Sequence, residues 1–418
     1  NSGGCEEVSV KRTLVKTVIV LCSLFLSFAL TGCGSSSGGG GGGTTGSGDE
    51  VPPVVVFPIN DGTAGDEVGL TDGTEVGTFM VKDINPVGSS YPNVHTDTSV
   101  VIMNSVAYFS ADDGTNGYEL WKSNGTYAGT TMVKDIRAGG SSYPGYLRIV
   151  GSTLFFVADN GVNGRELWKT DGTEAGTVMV RDIRAGGGTS SINLAVPFGS
   201  LLLFAADDGI NGRELWKSDG TEAGTVLVRN IHTVPAGPPS FKIAVEPSSE
   251  PNYLTVMGNS VYFRAQDWLS TGYELWKSDG TSAGTLMVKD MRGASGSGPQ
   301  QLFTDGTTLY FSADDGTNGR ELWKSDGTSA GTVLVKDIRA GNDSFPMNFA
   351  ALNGLVFFKA NDGSTGEELW VTDGTNGGTV LFKDVYPGAP SASPARLTVV
   401  NGRLFFVANS ASGYELWS

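Results

Sequence analysis

The chain has 418 residues, 61 of them glycine, with 39% apolar residues and a formal net charge of −16. That charge sets aside nucleic acid as a partner, because binding it needs Lys and Arg to neutralise phosphates. Only His95 and His232 are present, which leaves little material for a multi-histidine zinc site or a set of histidine bases.

The chain opens without Met, so its first residues read as upstream readthrough or a truncated start. Lys11, Arg12 and Lys16 precede an apolar run at 18–30, VIVLCSLFLSFAL. The run is too short to span a membrane and suits the hydrophobic region of an export signal. It ends in Leu30-Thr31-Gly32-Cys33, which resembles the lipobox of bacterial lipoproteins. The resemblance implies cleavage before Cys33 and diacylglycerol on its sulfur. Gly34 follows, not the Asp that retains such proteins at the inner membrane, so outer-membrane sorting is implied. Residues 1–32 are therefore expected to be a signal peptide. Residues 33–50 hold the lipidated Cys33 and the linker GSSSGGGGGGTTGSGDE, a flexible coil with a reach of roughly 20–25 Å. With Cys33 acylated no disulfide is expected, and packing must hold the fold.

From 51 to 418 one pattern recurs. The tripeptide Glu-Leu-Trp ends at Trp121, Trp168, Trp216, Trp276, Trp323, Trp370 and Trp417, at spacings of 47, 48, 60, 47, 47 and 47 residues. A worn copy with Gly69 in the Trp position stands in front. Each unit reads as four short strands. Around Trp370 these are a weak strand at 348–352, an Asn353-Gly354 turn, LVFFKA, a polar turn, ELWVT, an Asp373-Gly374-Thr375 turn, and TVLFKDV. No segment shows helical periodicity. Four strands per unit of this length predict an all-β fold, a β-propeller of four-stranded blades. Seven blades are expected if the front strand at 78–84 completes the last sheet. Eight blades with incomplete terminal sheets is the alternative, because 54–69 aligns as two further strands.

The segments ELWKSNGT, ELWKTDGT, ELWKSDGT and ELWVTDGT resemble the bacterial ELWxxDGT-repeat proteins, over about 51–418. The resemblance implies an exported repeat protein and no assigned activity. A more distant likeness is to the tryptophan-docked propellers of quinoprotein dehydrogenases, carried by the cadence ADDGTNGRELW ending at Trp323.

The repeated Trp is expected to be a core anchor. The turn between strands two and three is acidic, as at Asp112-Asp113, Asp207-Asp208 and Asp314-Asp315. These six carboxylates are the calcium candidates; Asp and Asn also cap their own turns, which is the expected role. Apart from calcium, no cofactor is expected. Lys134, Asp135 and Arg137, and likewise Lys336, Asp337 and Arg339, are expected on a solvated outer strand that blunts a sheet edge. There is no GxSxG elbow, HExxH pair or phosphate loop, so catalysis is not the favoured reading.

One unit departs from the rest. Between Trp216 and Trp276 the extra residues include HTVPAGPPSFKIAVEPSSEPNY. His232, Phe241, Lys242 and Tyr253, with Trp268 in a second altered loop, form the candidate partner-binding loop, since loops on a rigid scaffold carry function. The expected protein is an outer-membrane-anchored lipoprotein that binds or scaffolds a protein or a surface glycan. The competing expectation is an envelope enzyme, glycan-directed or quinone-linked, working in the axial pocket.

Overall fold

The computed structural model describes residues 55–418 except positions 61, 72–74, 76, 93–99, 233–247 and 268–271. The expected signal peptide, Cys33 and the linker lie outside the described residues. So do Phe241, Lys242 and Trp268.

The described chain is all-β, with one 3-10 turn at Gly293–Ser295. Its strands form eight successive antiparallel sheets, each a meander in sequence order, and they are the blades of a β-propeller. Six sheets have four strands; the first and the last have three. The sixth is representative: Gln300–Thr304, Leu309–Asp314, Arg320–Ser325 and Val333–Lys336. The first sheet runs from Val55–Asn60 to Phe79–Lys82, and the eighth from Ala395–Val400 to Gly413–Trp417.

The expectation that the front strand completes the last blade is corrected here. Phe79–Lys82 pairs within its own sheet, with Val68 opposite Lys82 and Gly69 opposite Met80. Gly413–Trp417 pairs only with Arg403–Ser410. The reason is local. The worn first copy keeps a hairpin, Val55–Asn60 on Asp66–Thr71. Its Val68 and Leu70 share a buried cluster with Val81, Ile84, Phe109 and Trp121. A partner a few residues away closes a short loop, which costs less entropy than one at the far terminus. The count is therefore eight sheets with thin ends.

The described residues fall into two compact units, 55–147 and 148–418. In the second unit the first strands of the fourth to eighth sheets lie side by side in order, so they form the inner edge of the stack. Apolar side chains fill the space between neighbouring sheets. Phe204, Phe263, Phe311 and Phe358 on the second strands are fully buried. Trp323 packs on Leu275 and Val288 of the preceding sheet, and Trp370 on Leu322, Val335 and Ile338. The Trp323 and Trp370 indole N–H groups meet no hydrogen-bond partner, so packing alone holds these rings. The repeated Trp is the core anchor that its spacing predicts.

The charges of the fourth strand do more than blunt an edge. Lys336 Nζ donates to Thr379 O (2.9 Å), and Lys289 Nζ to Thr332 O (2.7 Å), each in the next sheet. Arg229 reaches Thr285 O in the same way (2.6 Å). The predicted solvated strand is in fact a row of ties between consecutive blades.

Candidate functional site

The Asp-Gly-Thr turn is closed by its own side chains. Asp326 Oδ1 accepts from Thr328 N (2.8 Å) and Thr328 Oγ1 (2.7 Å), and Thr328 Oγ1 accepts from Gly331 N (2.9 Å). A Cβ on Gly331 would sit 2.1 Å from Asp326 Oδ1, so the turn requires glycine there. The same arrangement recurs at Asp219, Asp279 and Asp373.

The Glu of Glu-Leu-Trp plays a role that sequence reasoning missed. Glu67, Glu119, Glu166, Glu214, Glu274, Glu321 and Glu368 are all fully buried. Glu321 Oε2 accepts from Ile338 N (2.9 Å) and Ser344 Oγ (2.6 Å); its Oε1 accepts from Arg339 N (3.3 Å). The carboxylate thus fastens the chain leaving the fourth strand to the third. Burial pushes the Glu166, Glu214, Glu274 and Glu321 carboxyls up to about 7, against the opposing pull of these donors. The signal was available: an ionisable residue recurs at one place within an apolar strand of every unit.

The acidic turns satisfy themselves. Asp113 Oδ1 accepts from Thr115 N (2.9 Å) and Asn116 N (2.7 Å), and its Oδ2 from Asn116 Nδ2 (2.7 Å). Asp208 and Asp315 repeat this with Asn211 and Asn318. Partial burial raises these three carboxyls, but the N–H donors outweigh it and hold them below the ordinary range. Asp112, Asp207 and Asp314 cap Gly114, Gly209 and Gly316 (2.7 Å each). Asp207 also meets Arg184, and Asp314 meets Arg292. Among the described residues no group of three or more His, Cys, Asp or Glu side chains is placed to hold a metal ion.

The long unit is stapled at its base. Glu214 accepts from Ile231 N (3.1 Å), His232 N (3.3 Å) and Ser249 N (3.1 Å), so it grips both ends of the extra residues. His232 Nδ1 lies 2.8 Å from Ser248 O. His232 therefore serves the base of the insertion.

Tyr253 instead stands on an inner strand, at a feature common to the second unit. The first strands of the fourth to eighth sheets slip register by a bulge, at 193–196, 252–255, 300–303, 347–350 and 395–398. The first residue of each bulge has left-handed backbone: Leu194 (φ 53), Tyr253 (φ 57), Gln301 (φ 56), Asn348 (φ 60) and Arg396 (φ 57). A bulge re-aims its side chain, and this backbone costs on the order of 1 kcal/mol or more for a residue with a Cβ. No two of the five are alike, although the surrounding framework is close to uniform.

Tyr253 meets Arg264, whose guanidinium lies 5.3 Å from its ring centroid and 4.6 Å from that of Tyr273. Arg320 of the next sheet is close enough that the Arg264 charge acts on it. At the opposite ends of the strands is an open cleft of about 630 Å³ lined by Phe198, Leu201, Val256 and Asp279. Asp279 is engaged by its own turn, through Thr281.

No protein-family model matches the chain, and no curated protein matches it. Among solved structures it is similar to puromycin hydrolase, at 17% identity, TM-score 0.42, over 76% of this chain and 51% of that one. It is also similar to a structure from a study of two prolyl endopeptidases, at 11% identity, TM-score 0.43, over 77% and 49%. A puromycin-hydrolyzing peptidase of Mycobacterium tuberculosis matches at 12% identity, TM-score 0.39, over 82% and 53%. The chain spans about half the length of these structures. Likeness at this level says nothing of activity.

Proposed function

We propose that this chain is a lipid-anchored recognition scaffold of a bacterial cell envelope, with the inner-strand bulges as its reading surface and a surface glycan as its ligand. One observation carries the reading. The chain places glycine at most of its left-handed turn positions, where glycine costs least. At the bulges it uses Leu194, Tyr253, Gln301, Asn348 and Arg396 instead. A strained backbone kept with a different side chain in each of these five blades is a position held for what the side chain contacts. Leu194 packs partly on the core and Asn348 Nδ2 bonds Pro394 O (3.1 Å). That leaves Tyr253, Gln301 and Arg396 as the readers.

The test replaces these three residues with glycine and screens both proteins against a panel of bacterial surface polysaccharides. The variant should melt at the same temperature or higher, since strain is relieved, and should lose the polysaccharide that the parent binds. Unchanged binding by the variant overturns the reading. Release of new reducing ends by the parent would support the enzyme alternative.

The anchor is a separate part of the proposal and rests on the Leu30–Cys33 box after its apolar run. Cys33→Ser should abolish labelling by a fatty-acid analogue and move the protein from the outer-membrane fraction to the soluble one. A variant that stays with salt-washed membranes overturns the anchor.

A further inference from the structure

The repeat supplies its own controls for one pair of positions, diagonal neighbours on the two middle strands of each sheet. One is the third residue from the end of the second strand; the other is the first residue of the third. In the seventh sheet these are Lys359 and Glu367, and Lys359 Nζ lies 2.8 Å from Glu367 Oε2. In the fourth sheet Arg213 meets Glu250 (3.3 Å). Each of these cations has a carboxylate supplied by the chain. The fifth and sixth sheets, between them, break the pattern.

In the fifth sheet the two positions hold Arg264 and Tyr273. Arg264 has two aromatic rings beside it and no hydrogen bond to a carboxylate among the described residues; its Nε is buried without a partner. In the sixth sheet the small Ser312 leaves room, and Arg320 donates to Gly298 O (2.9 Å) and Ser312 O (3.2 Å). The acidic groups nearest Arg320 are committed elsewhere. Asp343 Oδ1 accepts from the Arg320 backbone N–H (2.7 Å), and Asp314 meets Arg292. Burial first, and then the charge of Arg264, hold the Arg320 guanidinium below its ordinary range, with Asp314 and Asp343 pulling the other way. A chain of net charge −16 thus gives neither guanidinium a salt bridge among the described residues. Partly buried charge without a salt bridge is costly unless something external matches it.

Building on the recognition reading above, we propose that Arg264 and Arg320, with the rings of Tyr253 and Tyr273, take the carboxylate of an acidic sugar. A planar guanidinium offers parallel N–H donors that match a planar carboxylate, and stacking on tyrosine holds it in place before the ligand arrives. The aromatic faces suit the apolar face of a sugar ring. Gln301, on the adjoining bulge, adds an amide that can both donate to and accept from sugar hydroxyls.

The experiment titrates the full chain with a galacturonic acid hexamer, the neutral galactose hexamer, and inorganic phosphate, at low and at raised salt. The acidic hexamer should bind, the neutral one should bind about tenfold or more weakly, and salt should weaken the acidic hexamer. Arg264→Met should lose about tenfold or more of the acidic hexamer while melting no lower than the parent, because a guanidinium lacking a counter-ion adds no stability. A large fall in melting temperature for Arg264→Met would make the arginine structural and overturn the proposal. Equal binding of both hexamers, or binding unchanged by Arg264→Met, overturns the carboxylate assignment and leaves the bulge-based recognition reading standing. Phosphate that binds as well as the hexamer and displaces it would show a free-anion site and overturn the sugar assignment.

Discussion

Glu321→Ala is expected to cost about 3–5 kcal/mol of stability, measured by denaturant unfolding of the full chain. The substitution removes a buried acceptor and leaves three donors behind: Ile338 N–H, Arg339 N–H and the Ser344 hydroxyl. Water does not reach the site, since Glu321 is fully buried and Ser344 likewise. The cost therefore has two parts, unsatisfied donors and a cavity beside the sheet. Glu321→Gln keeps an acceptor of the same shape and should recover most of the loss. An alanine variant within about 0.5 kcal/mol of the parent would show that the clasp is decorative.

Stability should peak near pH 5 and fall toward pH 8, by on the order of 2 kcal/mol for each of four carboxyls, since one pKa unit is worth about 1.4 kcal/mol. Glu166, Glu214, Glu274 and Glu321 titrate at about 7 in the fold against an ordinary 4.5. As pH rises from 4.5 to 7 the unfolded chain sheds protons that the fold retains, so unfolding becomes easier. Asp113, Asp208, Asp315 and Asp326 are held below their ordinary 3.8 and act in the opposite sense. Their contribution is present above 3.8 and is lost as pH drops further, which sets the acid side of the peak. Thermal melts at pH 5 and pH 8 should differ by more than about 5 °C. A melting temperature that is flat or rises across this interval contradicts the assignment. In the double variant Glu274→Gln, Glu321→Gln the slope should be about half as steep, because two of the four groups no longer titrate.

The two results bear on how the blades are held. The Trp and Phe side chains fill the gaps between sheets, while the buried carboxylates clasp the chain within each sheet. Lys289, Arg229 and Lys336 then tie one sheet to the next through single backbone carbonyls. A scaffold fastened by repeated contacts of this kind leaves its inner-strand bulges free to vary. Different side chains at Tyr253, Gln301 and Arg396 leave the repeated framework contacts in place.

What the amino-acid sequence determined by itself was whatever a few neighbouring residues settle among themselves. The turn at Asp326-Gly327-Thr328 was legible because its donors, acceptors and left-handed glycine all lie within the turn. The four strands per unit were legible from those turns and from runs such as LVFFKA. The Trp anchor was legible because one large aromatic per unit has to be buried somewhere. The acidic pairs at 112–113, 207–208 and 314–315 were likewise legible as self-capping turns. Tyr253 was singled out for its place beside a proline-rich insertion, yet it stands on a strand bulge. Only the tertiary structure decided the rest, because it depends on partners distant in the chain. Glu321 is unremarkable until Ile338 and Ser344 turn their donors onto it. The strand at 79–82 had two possible partners, and the surviving hairpin in front of it won by proximity. The missing carboxylate beside Arg264 appears only when Lys359 and Glu367 are laid over the same two positions. A charge becomes informative once folding has fixed what surrounds it, and that depends on residues the local sequence does not contain.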